Sequence, residues 1–253
     1  MADGLLSGTY RFMYPFKYIA DDAAALAHSP VLRAALLTFE FIDTHGPIEL
    51  TPSKALKRYF VTWAAEAFAW PYFTAAELYA VNRVLNEQDF PPLVMVHDLL
   101  LSTKLARHYR GTLRLTALAQ ELRSKPGELW RLLTNHLLFV MDHSRYTRFN
   151  DAVGRDWLTY LNVINIEAEM GVTEARLCSL FYGGDETRFR GVDYEYVLAL
   201  YAHVLRPLCW AGLLSEQRQG RGLARTKLFV KTPLWAAALH LPTDKHVTSP
   251  TRH

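Results

Sequence analysis

From Tyr10 to Tyr18 aromatic residues fall at alternate positions, and Tyr10, Phe12, Tyr14, Phe16 and Tyr18 make one face. A period of two predicts a strand or extended arm, and Pro15 places it at an edge. At Pro30 the period becomes helical: Leu32, Leu36, Phe39 and Ile42 share a stripe, and Gly46 with Pro47 ends it. Ile48 and Leu50 stand at strand spacing ahead of Thr51 and Pro52, which suit the N-cap and first turn of a helix running past Trp63. Further helices are expected over 74–85 and, opened by Pro91 and Pro92, as far as Leu105. Residues 106–115 read as two short strands about Gly111, after which Thr116 caps a helix from Ala117 to Leu122.

The second half repeats this order. Ser124–Gly127 reads as a linker, followed by a helix from Glu128 to Val140 and a polar connection over 142–151. Helices are expected over 156–170, 173–181 and 193–210, the last strongly apolar and stopped by Gly212. Strand-like segments 213–217 and 226–230 flank a Gly-containing loop, and Thr232 opens a final helix. Helix, short strand, helix, helix, hairpin is the order of a winged helix-turn-helix. A hairpin delivering the chain through Thr-x-Leu into a helix occurs at Thr116–Leu118 and again at Thr232–Leu234. The expected fold is therefore mainly α with short β hairpins, in tandem winged-helix-like units. The arm and first unit would occupy 1–125, a linking helix and connection 126–150, and the second unit 151–253.

Gly46–Leu56 (GPIELTPSKAL), Gly111–Leu118 (GTLRLTAL) and Pro126–Trp130 (PGELW) together resemble the C-terminal region of bacterial plasmid pRiA4b ORF-3-like proteins. In that family a G-x-x-x-LT-x-x-x-x-L segment and a later G-x-L-x-LT segment with P-x-x-LW recur. The resemblance covers about residues 30–140. Ser53 to Ala55 stand where a glycine is common, and the family's usual N-terminal domain has no counterpart here. Because the motifs are structural, the resemblance implies a fold and a bacterial origin more than an activity.

The 253 residues are half hydrophobic and 21% charged, with a net charge of +3. That suffices for one large or two ordinary cores without covalent staples. Only Cys178 and Cys209 occur, far apart, so neither a disulfide framework nor a zinc site is written in the chain. A reduced, cytoplasmic setting is expected: no signal peptide is legible, and no apolar run approaches the ~20 residues of a membrane span. The mild total charge leaves a nucleic-acid partner open, since such a partner is announced by local basic clusters.

The strongest cluster is on the second hairpin, where Arg218, Arg221, Arg225, Lys227 and Lys231 have no acid among them, and Gly220 and Gly222 permit close backbone approach to a phosphate. Lys54, Lys57 and Arg58 form a smaller cluster on the first unit. The alternative reading of the second wing is a solvated hairpin. The helices that would enter a major groove, 93–105 and 193–210, are too apolar for base reading and suit burial instead. The aromatic arm could stack bases, but packing on its own domain or on a second subunit is the preferred expectation.

Enzymatic readings have less support. His97-Asp98 resembles the metal-binding dipeptide of HD phosphohydrolases, with His45 and Asp142 as outlying ligands. Asp142, His143 and Ser144 are adjacent on a connection and define no triad geometry. P-loop, GxGxxG and GxSxG motifs do not occur. The sequence therefore points to a non-enzymatic bacterial protein, without cofactor or metal. Its units would bind nucleic acid, possible DNA contact being led by the second wing, or else act as a protein scaffold or homodimer.

Overall fold

The structure is a computed structural model that describes residues 15–146, 156–219 and 226–247. Helix α1 (Pro30–His45) begins at Ser29, whose hydroxyl accepts from the Leu32 amide, and its Val31, Leu32, Ala35, Phe39 and Ile42 are buried. Strand β1 (Ile48–Glu49) follows, then α2 (Arg58–Ala67), α3 (Ala75–Val81), α4 (Pro91–Ser102), β2 (Ala106–Tyr109) and β3 (Thr112–Leu115). α5 (Ala117–Leu122) and α6 (Pro126–Asn135) complete the first half. The second half runs α7 (Trp157–Glu167), β4 (Val172–Thr173), α8 (Glu174–Tyr182), α9 (Glu186–Phe189), α10 (Tyr194–Leu200), α11 (Arg206–Ala211), β5 (Leu214–Gln219), β6 (Thr226–Lys231) and α12 (Pro233–Ala238).

Each hairpin is completed into a small antiparallel sheet by the short strand that precedes it, in the orders β1-β3-β2 and β4-β6-β5. Ile48 faces Leu113 and Val172 faces Phe229 at equivalent places. The chain is thus mainly helical with short hairpins, and both halves carry the same succession of elements. Thr116 and Thr232 cap α5 and α12, each through its hydroxyl. No described helix is long and apolar enough to cross a membrane.

Three local readings are corrected. The helix expected from Thr51 begins only at Arg58: Thr51 to Ala55 form a turn closed by the Ala55 amide on Thr51 Oγ1 at 3.0 Å. Lys54 there has a left-handed φ of 66°, and the Leu56 amide is taken by Glu87 Oε2 at 2.6 Å, which withholds it from a helix. Ser124–Gly127 is no spacer, because Pro126 opens α6 and the Gly127 amide donates to Asp21 Oδ1 at 2.9 Å. The helix 193–210 is interrupted by a π-helical segment, Tyr201–Leu205, immediately before Pro207. Proline lacks an amide hydrogen and its ring crowds the carbonyl four residues back, and widening the preceding turn relieves both.

One apolar core runs through both halves. α1 packs on α4, α6 and α11. Trp130 of α6 donates from Nε1 to the Ala211 carbonyl at 2.9 Å, and the Trp70 and Trp210 rings meet edge to face at 5.7 Å. The arm packs on the far end of the chain. Lys17 and His240 amides bond to the Ala238 and Pro15 carbonyls, and Phe16 lies against Trp130 and Phe139. Tyr18 is exposed, and Tyr10, Phe12 and Tyr14 lie outside the described residues.

Candidate functional site

The second hairpin carries its basic side chains inside ion pairs. Arg218 meets Glu216 at 2.6 Å and lies 3.5 Å from the Tyr72 ring centroid. Lys227 meets Glu174 at 3.1 Å and lies 3.5 Å from the Tyr201 centroid. Lys231 meets Glu169 at 2.5 Å and donates to the Asn165 carbonyl at 2.8 Å. Burial pushes the Glu174 carboxyl up, against the pull of Lys227. Arg221, Arg225, Gly220 and Gly222 lie outside the described residues. Glu216 is legible in the sequence as a same-face neighbour of Arg218 two residues away on a strand. Glu169 and Glu174 reach the hairpin from the β4 edge, through a register that sequence spacing does not show.

On the first unit, Lys57 pairs with Glu49, and Arg58 donates to Asn86 Oδ1 at 3.3 Å. Lys54 stands at the tip of the Thr51–Ala55 turn, close enough to His108 to depress its pKa. The site-forming residues that sequence reasoning passed over are on the hairpin beside it. Arg107, Arg110 and Arg114 surround the Tyr109 ring with guanidinium carbons 5.5, 5.2 and 5.2 Å from its centroid. All four side chains are exposed, and no carboxylate among the described residues pairs with the three arginines. Arg107 lies opposite Arg114 across the β2–β3 ladder, on the face that also carries Tyr109. Arg110 and Gly111 have φ of 47° and 73°, the signature of a two-residue type I′ turn. An arginine in that conformation costs roughly 1–2 kcal/mol relative to glycine, and the cost places a third cation at the hairpin tip. The signal was present as R-x-Y-R-G-x-x-R over 107–114.

The opposite face of the same hairpin ends a buried polar chain. The Leu56 amide donates to Glu87 Oε2, Glu87 Oε1 lies 2.6 Å from His97 Nδ1, and His97 Nε2 lies 2.9 Å from His108 Nε2. Glu87 and His97 are each 6% exposed. With His97 Nδ1–H donating to the carboxylate, its Nε2 accepts from His108, so one hydrogen occupies the space between the rings. Burial, then His97 and Lys54, hold His108 below the ordinary histidine pKa. Glu87→Gln offers an amide where the two donors require an anion. The expected loss is about 1–2 kcal/mol in urea unfolding, and an unchanged midpoint would show that the carboxylate charge is immaterial.

The His97-Asp98 dipeptide is split by the helix. His97 faces Glu87 and His108, whereas Asp98 borders a separate cavity of about 420 Å³ with His136, Asp142 and Arg145. His45 stacks on Phe41 at 4.4 Å. Among the described residues no three His, Cys, Asp or Glu side chains gather where a metal ion could sit. Helix α4 buries Leu93, Met95, Val96, Leu99 and Leu100, and in the second half Val197, Leu200, Val204, Leu205 and Leu208 are likewise buried. Most of both helices is thus turned into the core.

Two successive domains with this repeated element order define the class to which the chain belongs, the y4jL family: the Y4jL N-terminal domain matches residues 27–128 and the y4jL C-terminal domain residues 147–233. The chain is similar to "Uncharacterized protein y4jL" of Sinorhizobium fredii (strain NBRC 101917 / NGR234), with 36% identity over 173 residues, 67% of this chain and 78% of that protein. No solved structure matches it. The likeness to pRiA4b ORF-3-like proteins remains one of motifs.

Proposed function

We propose that the protein is a non-enzymatic nucleic-acid-binding protein of winged-helix type that makes contact through its first wing, the β2–β3 hairpin. The observation that carries this reading is the cluster of Arg107, Arg110 and Arg114 around exposed Tyr109, three cations on one hairpin without carboxylate partners among the described residues. Guanidinium groups match phosphate oxygens in pairs, and a tyrosine flanked by them offers a stacking face for a base. The second wing contributes less, because Arg218, Lys227 and Lys231 already neutralise glutamates. Breaking those pairs would cost much of what a phosphate contact returns. With both groove-facing candidate helices buried, contact is directed at the backbone and sequence preference is weak.

The test is a salt titration of binding to short duplex DNA and single-stranded RNA by fluorescence anisotropy. The triple variant Arg107→Gln, Arg110→Asn, Arg114→Gln keeps a residue tolerant of positive φ at the turn. Removing three phosphate contacts lowers the slope of log K against log salt by about 2.7 on duplex DNA. Arg218→Gln with Lys227→Gln leaves the slope nearly unchanged. Equal slopes for the unaltered chain and the triple variant would overturn the proposal, as would failure of the unaltered chain to bind either polymer at low salt.

A further inference from the structure

The loop between α2 and α3 is held in a conformation its residues do not favour. Ala69 and Tyr72 have φ of 44° and 64°, and a bulky aromatic in the left-handed region costs roughly 1–3 kcal/mol. The second half holds it there: Tyr72 Oη donates to the Glu216 carbonyl at 2.6 Å while Arg218 covers its ring. This loop roofs a cavity of about 290 Å³ at the junction of the two halves, whose walls include Trp70, Tyr72, Tyr201 and Trp210. That volume is near the lower end of the range for small-molecule sites, enough for a ligand of one or two rings.

Glu216 is the one carboxylate among the described residues that line the cavity, and it already accepts from Tyr201 Oη at 3.0 Å and from Arg218 at 2.6 Å. Arg33 and Arg206 supply two guanidinium groups. Arg206 stacks 4.9 Å from the Trp210 ring centroid. Arg33 donates from Nε and Nη2 only to carbonyls, those of Phe68 at 2.9 Å and Ala69 at 3.1 Å, and meets no carboxylate among the described residues. Its burial lowers its pKa, the direction expected of a cation removed from water without a counter-ion.

We propose that this junction cavity binds a small aromatic acid, its ring among the aromatic walls and its carboxylate on Arg33. Aromatic walls favour a ring over an alkyl chain, because stacked and edge-to-face contacts add to area burial. A planar guanidinium recognises a carboxylate through paired hydrogen bonds. The ligand would touch Trp70 and Tyr72 from the first half and Tyr201 and Trp210 from the second, so its binding tightens their junction. This inference stands independently of the nucleic-acid reading.

The experiment titrates the full chain with benzoate and with indole-3-carboxylate by calorimetry, each beside its primary amide, while the indole N–H resonances of Trp70 and Trp210 are followed by NMR. At least one acid binds saturably with Kd at or below about 1 mM, its amide binds roughly 10-fold more weakly or worse, and both indole resonances shift. Arg33→Gln weakens acid binding by about 10-fold and leaves the amide unaffected. No saturation by either acid at about 10 mM overturns the proposal, as does an amide that binds as tightly as its acid, or binding that leaves both indoles unmoved. The contrast of acid and amide on the unaltered chain decides the matter even if Arg33→Gln fails to fold.

Discussion

Gly212→Ala lowers stability by about 4 kcal/mol, the sum of a backbone and a steric cost. Gly212 follows α11 with φ 85° and ψ 12°, the left-handed position that closes a helix. Any residue with a β-carbon is strained there. A β-carbon would in addition lie 2.4 Å from the His28 carbonyl oxygen and 2.5 Å from Ser29 Cα. These are backbone atoms at the start of α1, so no side-chain rotation relieves the contact. The two halves must separate or α1 must lose its Ser29 cap. Gly111→Ala is the matched control: it too has positive φ, 73°, but nothing lies within 4 Å of the added carbon. It loses only the backbone contribution, about 1 kcal/mol. Urea unfolding of both variants reads the difference directly, and in melting temperature Gly212→Ala falls by roughly 10 °C. Equal losses at the two glycines would mean that the seam between α11 and α1 yields without cost.

That seam also marks the limit of what the sequence discloses. Thr116 and Thr232 announced their helices because a cap is local: the hydroxyl that replaces a missing backbone acceptor lies within three residues of the amide it serves. The hairpin at Gly111 and the apolar character of α4 were legible for the same reason. The turn at Thr51 was misread because its outcome depends on Glu87, which claims the amide of Leu56 from 31 residues further along the chain. Charge partners are hidden similarly: along the chain the second hairpin shows no acid among its basic residues, yet Glu169 and Glu174 arrive from β4 and its flanks to pair with Lys231 and Lys227. The first hairpin drew less notice because its three arginines are spread over eight positions, and only the pleat brings them around Tyr109. Of the residues placed in the junction cavity, none is a neighbour in sequence of its partner from the other half.

Lowering the pH from 6.5 to 4 removes about 3 kcal/mol of stability through a single buried imidazole. His143 is 5% exposed in a short 3-10 turn, His143–Tyr146, packed on the π-helical segment Tyr201–Leu205. Its Nε2–H donates to the Leu137 carbonyl at 2.6 Å, while Nδ1 is buried with no hydrogen-bond partner. Protonation would place a second N–H and a charge where neither finds an acceptor. Burial is the main reason its pKa falls from 6.5 to about 4; the Leu137 carbonyl works against the shift, and Arg206 and His203 add to it. The unfolded chain takes up this proton near 6.5 and the folded chain only near 4, so the unfolded state holds more protons throughout that window. Stability therefore rises with pH across it, is fully present above 6.5, and is lost progressively on acidification until both states are protonated below 4. His143→Gln keeps a donor for Leu137 and removes the titration. Surface carboxylates titrate in both proteins alike, so the difference in unfolding free energy between them isolates the imidazole. It should change by about 3 kcal/mol between roughly pH 7 and pH 4, in favour of the variant at the acid end. Parallel acid profiles would show that His143 ionises in place. The affected contact lies where the turn after α6 meets the widened helix before Pro207.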